Sequence, residues 1–180
     1  MFRSLFTKKK FLILSIVILI VEFSILEYLE IKKYFDIKKQ TEIINRSYYS
    51  GEVNVYDGLY YIIIPSLNIK RIIKDNANQT TLDQYYVGLF KGNIDDEFGN
   101  VVLAGHNVKQ VFNGLHRIEI GTKIILKSKK LETFIVDNKY ETLKSDHNVL
   151  KTVTNIKQLT LITCSKKDDY RLIVTAKKVD

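Results

Sequence analysis

The sequence predicts a mainly β domain of about eight short strands, preceded by one long apolar helix. From Tyr60 onward, short runs of β-branched and aliphatic residues alternate with polar breaks, as in all-β domains. Near the N-terminus, a basic cluster precedes an unbroken apolar run. Hydrophobic residues make up 46% of the 180 and charged residues 27%, which is typical of a globular chain and not of a disordered one.

Composition narrows the classes of partner. The formal net charge is +8, but the basic residues are scattered in pairs such as Lys129-Lys130 and Lys166-Lys167. No basic helix with interleaved aromatic residues is present in the sequence, so we expect no nucleic-acid partner. The positive net charge is compatible with binding to an anionic membrane or an anionic polymer surface. The single cysteine excludes an internal disulfide and a multi-cysteine metal site.

The first 29 residues carry a membrane signal. Basic residues within 1–10 precede the apolar stretch 11–29, which is close to the roughly 20 residues that cross a bilayer. A cleaved signal peptide and an amphipathic docking helix are the alternatives, but no small-residue cleavage site follows the stretch. We therefore expect an uncleaved anchor in the cell membrane, with 1–10 cytoplasmic and the remainder extracellular.

Beyond the anchor, the pattern separates a stalk at 30–56 from a domain at 57–180. Apolar residues alternate loosely with charged ones in the stalk, consistent with a helical extension, and Ser, Gly, Asn and Asp mark its end. Two short helices are expected at Leu82–Val87 and Val111–Ile118. The predicted strands of a sandwich or barrel are Tyr60–Ile64, Ile69–Ile73, Val101–Ala104, Lys123–Lys127, Glu132–Val136, Tyr140–Leu143, Leu159–Cys164 and Arg171–Ala176.

Strand alternation makes Cys164 a candidate nucleophile. If the last two predicted strands form a hairpin, Cys164 and Arg171 lie close together and point away from the more apolar face. His106 ends another strand-like run, Val101–His106, directly after Gly105. A thiolate attacks carbonyl carbon, a histidine exchanges protons with amines, and an arginine stabilises an oxyanion. Taken one at a time, however, each of these residue types is more often structural than catalytic.

The surrounding motifs resemble the sortase family, the membrane-anchored cysteine transpeptidases of Gram-positive bacteria. Ala104-Gly-His106 is similar to the family's histidine motif, and Thr160-Leu-Ile-Thr-Cys164 to its TLxTC motif. Arg171 matches the arginine that opens the next strand, and Ile64-Pro-Ser-Leu-Asn-Ile69 resembles an early family element. The resemblance covers about residues 57–180. Within it, Phe112, Leu115 and Gly121 fall where the family often has a short helix followed by a glycine and a strand.

The resemblance implies a fold, a reaction and its partners. The fold would be the sortase-type closed antiparallel β-barrel of about eight strands with short helices. The substrate would be a secreted protein with a C-terminal LPxTG-like sorting signal. Cys164 would attack the threonine carbonyl, His106 would protonate the departing amine, and Arg171 would hold the carbonyl or oxyanion. An amine of a peptidoglycan precursor or a pilin lysine would then resolve the thioester, and no cofactor is required.

Subclass is less defined. The loop between Cys164 and Arg171 is short and has neither Pro nor Trp, unlike the housekeeping class. No extended N-terminal lid with an Asp-Pro-x-aromatic motif is seen in the sequence, which disfavours the pilus-building class. A small class that anchors a limited set of substrates and a class D-like enzyme both stay open.

Two further alternatives concern metal and activity. Asp95, Asp96 and Glu97 precede the histidine strand, where calcium-stimulated members carry acids, and oxygen ligands suit Ca²⁺. The loop before the cysteine strand supplies only Asp146, so a solvated turn is favoured over a calcium site. The competing functions are a membrane-tethered β-domain that binds anionic cell-surface polymer without catalysis, and a thiol protease that hydrolyses the same signal.

Overall fold

The computed structural model describes residues 2–49 and 58–179. They divide into two compact units, one up to Asp36 and one from Ile37 onward. Helix α1 (Phe2–Tyr49) contains no Gly or Pro, the two residues that most strongly disfavour a helix. Its Lys10–Tyr49 portion includes a stretch long and apolar enough to cross a membrane, which makes it a candidate anchor. The proposed boundary at residue 29 stays a prediction, and residues 50–57 lie outside the described part.

The second unit is a closed β-barrel of eight strands with short helices, and the predicted fold class is confirmed. The strands follow the order β1-β2-β3-β4-β7-β8-β6-β5 around the barrel. Besides helix α2 (Gln79–Asp83), there are 3₁₀ turns at Pro65–Leu67, Asn113–Arg117 and His147–Leu150. The strands are β1 (Tyr61–Ile64), β2 (Ile69–Lys74), β3 (Val87–Lys91), β4 (Gly99–Ala104), β5 (Lys123–Lys127), β6 (Leu131–Leu143), β7 (Lys157–Cys164) and β8 (Tyr170–Val179).

One detail of the expected barrel needs correction, because not every strand pair is antiparallel. β2 pairs with β3 in parallel, and so does β4 with β7. Parallel neighbours require a crossover connection. Helix α2 lies in the first crossover, and β5 and β6 lie in the second. The second crossover places the histidine strand beside the cysteine strand.

The predicted helix at Leu82–Val87 is wrong in its position. The observed helix α2 starts earlier, because the side chain of Asn78 accepts a hydrogen bond from the backbone of Thr81 at 2.9 Å and caps it. Val87 instead opens β3, which the pattern missed. Gly88 weakens the strand signal, yet the barrel requires it, since a Cβ there would lie 2.3 Å from the Cα of Ala77.

Two other predicted elements differ from the structure. The predicted helix at Val111–Ile118 is only a 3₁₀ turn over Asn113–Arg117. The separate predicted strands Glu132–Val136 and Tyr140–Leu143 are the two ends of β6, with an irregularity after Val136 where the register shifts. A bulge of this kind interrupts alternation in the sequence without ending the strand.

The barrel interior follows the predicted alternation. Leu159 and Leu161 of β7 and Val174 of β8 are fully buried in one apolar cluster, and Leu172 belongs to it too. Phe112, in the loop after β4, is also fully buried in that cluster. The opposite faces of β7 and β8 point out of the barrel.

The end of α1 belongs to the barrel unit. Ile44 is fully buried in a second apolar cluster with Tyr61, Ile63 and Ile72 on the outer face of β1 and β2. Fully burying an aliphatic side chain of this size contributes about 1.5–3 kcal/mol. The last turns of α1, which fall in the segment predicted to be a stalk, therefore pack against the barrel.

Candidate active site

A groove of about 380 Å³ lies outside the barrel, on the face of β7 and β8 that points away from the core. The structure places all three predicted site residues on its lining, with α2 and the turn His147–Leu150 contributing further walls. Its lining includes Ala104 of β4, Ile162 and Cys164 of β7, Arg171 and Ile173 of β8, and His106 from just after the end of β4.

Cys164 is the last residue of β7, and its side chain is exposed. Its Cα partner on β8 is Arg171. The backbone nitrogen of Ser165 donates to the carbonyl of Tyr170 at 3.2 Å, so the ladder continues one step past the cysteine. Asp169 turns the chain with φ of 64°, a conformation that Asp tolerates better than most residues. The thiol therefore sits at the rim of a hydrogen-bonded hairpin.

Arg171 lies between β7 and β6 in the sheet, opposite both Cys164 and Thr142. Its side chain is half-buried, and one terminal nitrogen donates to the carbonyl of Tyr170 at 3.1 Å. A guanidinium has five N–H donors, so several remain to bind a ligand. This cation faces the groove that the thiol lines.

The backbone before His106 is held against β7 by two hydrogen bonds. The nitrogen of Gly105 donates to the carbonyl of Ile162 at 3.1 Å, and the hydroxyl of Thr163 donates to the carbonyl of Gly105 at 2.8 Å. A Cβ on Gly105 would lie 2.7 Å from the buried ring of Phe112. Only glycine fits this close approach, which brings the histidine to the groove.

The ring of His106 contacts a carboxylate that sequence reasoning missed. Its Nε2 lies 3.1 Å from Oδ1 of Asp83, at the end of α2. The same oxygen accepts a hydrogen bond from the side chain of Gln79 at 2.7 Å. An exposed Asp in a short polar helix carries no distinguishing sequence signal, and α2 was itself misplaced in the prediction.

Apolar side chains line the groove on either side of the thiol. Phe90 and Leu143 are about half exposed, at 55% and 48%, although both are large and apolar, and Leu82 and Leu150 lie nearby. Exposed apolar surface beside polar groups is typical of interaction sites and ligand-binding grooves. The groove therefore suits a ligand with at least one apolar group.

Asp146 orders one rim of the groove. It accepts hydrogen bonds from the hydroxyl of Thr142 at 2.7 Å and from the backbone of Asn148 at 2.9 Å, and so caps the turn His147–Leu150. The Thr142 hydroxyl, followed by the Asn148 backbone, lowers the pKa of Asp146 below its usual value. The turn is thereby held in place by an ionised carboxylate.

The preference for a solvated turn over a calcium site at Asp95, Asp96 and Glu97 stays a prediction. Asp95 accepts a hydrogen bond from the hydroxyl of Tyr60 at 2.8 Å and lies 3.6 Å from the ammonium of Lys129. Both contacts compete with a cation for the carboxylate oxygens. Over residues 2–49 and 58–179, no group of three or more His, Cys, Asp or Glu side chains is arranged to hold a metal.

Comparison with known proteins finds a family match over most of the barrel unit. The family model described as "Sortase domain" matches residues 62–179. The sortase-like protein YwpE of Bacillus subtilis (strain 168) is 39% identical over 88 residues, which cover 46% of this chain and 85% of that protein.

Solved sortase structures superpose on this chain and share its fold. Sortase C1 of Streptococcus agalactiae superposes with a TM-score of 0.62 at 25% identity over 67% of this chain, and the match spans 66% of that chain. A sortase D5 transpeptidase of Clostridium perfringens superposes with a TM-score of 0.64 over 83% of this chain and 99% of that chain. At 22% identity, the second likeness is one of fold alone.

Proposed function

The chain belongs to the sortase family of cysteine transpeptidases, and from that premise we propose that it cleaves an LPxTG-like C-terminal sorting signal after threonine. The acyl group passes through a thioester on Cys164 and is then transferred to an amine. The substrates are secreted proteins that carry the signal. The acceptor is an amine of the cell wall, such as a peptidoglycan precursor, or a pilin lysine.

The observation that carries this proposal is the pairing of Cys164 with Arg171 across the β7–β8 hairpin, with His106 on the same groove. A nucleophile, a permanent cation and a proton carrier are the groups that acyl transfer requires. The apolar walls beside them suit the leucine and proline of the signal.

The reaction has two halves. In the first, the Cys164 thiolate attacks the threonine carbonyl carbon, a C–S bond forms, and Arg171 stabilises the oxyanion. The C–N bond then breaks as protonated His106 gives its proton to the departing amine. In the second half, an incoming amine attacks the thioester, His106 takes a proton from it, and the thiolate leaves. The enzyme ends in its starting protonation state.

The setting of this reaction is part of the proposal. We place residues 11–29 of α1 in the cell membrane, residues 1–10 in the cytoplasm and the barrel outside, since the basic cluster precedes the apolar stretch. An anchored enzyme meets its substrates as they emerge from the membrane. The net charge of +8 favours residence near anionic lipid or polymer.

The test is a transfer assay on the full chain in detergent micelles. A panel of sorting-signal peptides is incubated with and without an amine, and products are identified by mass spectrometry. We expect cleavage after threonine and amine-dependent transfer, both lost in Cys164→Ala with the fold retained. Hydrolysis alone with amine present would indicate a thiol protease, and no product from any peptide would support a non-catalytic binding domain.

A further inference from the structure

Among the described residues, Asp83 is the one whose side chain forms a hydrogen bond with the ring of His106. The carboxylate oxygen and Nε2 are 3.1 Å apart, within hydrogen-bonding distance. The side chain of His106 is only 30% exposed, so the bond is partly shielded from water. The reaction proposed above for Cys164, His106 and Arg171 leaves this carboxylate without a role.

We propose that Asp83 is a positioning residue that fixes the ring of His106 through Nε2, so that Nδ1 is the nitrogen that exchanges a proton with substrate. This rests on the function proposed above. A carboxylate only accepts hydrogen bonds, so the proton of the neutral ring resides on Nε2 and the lone pair on Nδ1. When His106 is protonated, Nδ1–H gives its proton to the departing amine, and the Nε2–H bond to Asp83 persists throughout.

The oxygen that contacts His106 is itself held in place. Gln79 donates to that same oxygen at 2.7 Å from one turn earlier in α2. The cap by Asn78 fixes the start of this short helix. Asp83 is therefore presented by an ordered element although its side chain is exposed.

The end of α1 supports the segment that follows Asp83. Gln40 is only 3% exposed, and its amide nitrogen lies 3.3 Å from the carbonyl oxygens of both Gln84 and Tyr85. Its amide oxygen accepts from the backbone of Ile72 on β2 at 3.4 Å. A buried side chain that bridges two backbone segments restrains both of them. The helix thus supports the chain directly beyond the carboxylate.

Other polar groups lie around the groove, but none replaces this contact. Lys144 and Arg171 carry only hydrogen-bond donors, so neither can accept a hydrogen bond from the ring. Asp146 is committed to Thr142 and Asn148, as described above. The titratable and charged groups that line the groove with His106 are Lys144, Asp146, His147, Cys164 and Arg171.

The test compares Asp83→Asn, Asp83→Ala and Asp83→Glu in the full chain. Because Asp83 is exposed, all three variants should fold, and Asp75→Asn, at an exposed site outside the groove, serves as control. We expect kcat to fall about ten-fold in Asp83→Ala with KM unchanged, and Asp83→Asn and Asp83→Glu, which keep an acceptor oxygen, to restore part of it. The control should match the wild type.

A second readout needs no turnover. ¹⁵N NMR of the histidine ring, assigned with His106→Gln, should show the Nε2–H form of neutral His106 in the wild type and a mixed population in Asp83→Ala. An unchanged kcat, a change confined to KM, or an unchanged tautomer would overturn the proposal. If the wild type turns over no peptide, the proposed function fails, and the tautomer comparison still decides whether Asp83 positions the ring.

Discussion

Cys164 and Arg171 are Cα partners at the end of the β7–β8 ladder, with their side chains on the outward face of the barrel. Ile162 and Ile173, the preceding partners on that face, form the base of the groove between them. The spacing of thiol and guanidinium is therefore set by paired strands and not by a loop. Sites built on strands hold their geometry more closely than sites built on loops.

The guanidinium of Arg171 should matter through its shape as well as its charge. We expect Arg171→Ala to lower kcat about 10²–10³-fold, the usual loss when an oxyanion donor is removed. Arg171→Lys should recover little of this, because an ammonium lacks the planar fork of donors. The check is steady-state kinetics on the full chain. Arg117→Ala, at an exposed site off the groove, should be neutral, and full activity in Arg171→Ala would remove the assigned role.

Gly105 should tolerate no side chain. In Gly105→Ala, the added methyl group would meet the ring of Phe112 at 2.7 Å, and overpacking of this kind costs about 1–3 kcal/mol. We expect a lower Tm and a larger loss of activity, since His106 follows directly. Gly114→Ala is the matched control, because its Cβ would meet Leu67 at 3.4 Å. Equal Tm values for the two variants would contradict the close approach seen at Gly105.

Sequence alternation located the candidate site better than it located the helices. The outward side chains of β7 and β8 were predicted correctly, because each strand has an apolar face and a period of two. The position of His106 beside Cys164 depends on the parallel pairing of β4 with β7. That pairing joins segments about 60 residues apart, and no local pattern in the sequence encodes it.

The missed features have a common physical cause. β3 contains Gly88, whose presence reflects contact with Ala77 and not strand propensity. Asp83 acquires its partner only when the α2 crossover brings it to the end of β4. Both depend on tertiary packing, which local propensity does not describe.

The carboxylate of Asp146 predicts an acid-dependent loss of stability. Its hydrogen bonds to Thr142 and Asn148 lower its pKa in the folded chain below the usual 3.8. Because the folded value is the lower one, the stabilisation is complete above the unfolded value and is lost as pH falls through the folded one. Asp146→Asn keeps an acceptor for the cap but cannot ionise. Thermal unfolding from pH 6 to pH 3 should show the wild-type advantage shrinking below about pH 4.

A difference between wild type and Asp146→Asn that is constant over this range would argue against an ionised cap.

The single cysteine offers a direct test of topology. Cys164 is exposed, so a membrane-impermeant maleimide should label it in intact cells that express the full chain. Cys164→Ala measures the background. Labelling that requires permeabilised cells would place the barrel on the cytoplasmic side and contradict the proposed orientation.

The central claim is that Cys164 forms a covalent thioester with the substrate, and intact-protein mass spectrometry tests it most directly. The full chain is incubated with a sorting-signal peptide without amine, quenched in acid and weighed. We expect an adduct with the mass of the acyl fragment up to threonine, located on Cys164, discharged by an added amine and absent in Cys164→Ala. An adduct that persists in Cys164→Ala, or no adduct while the wild type cleaves the same peptide, would contradict the claim.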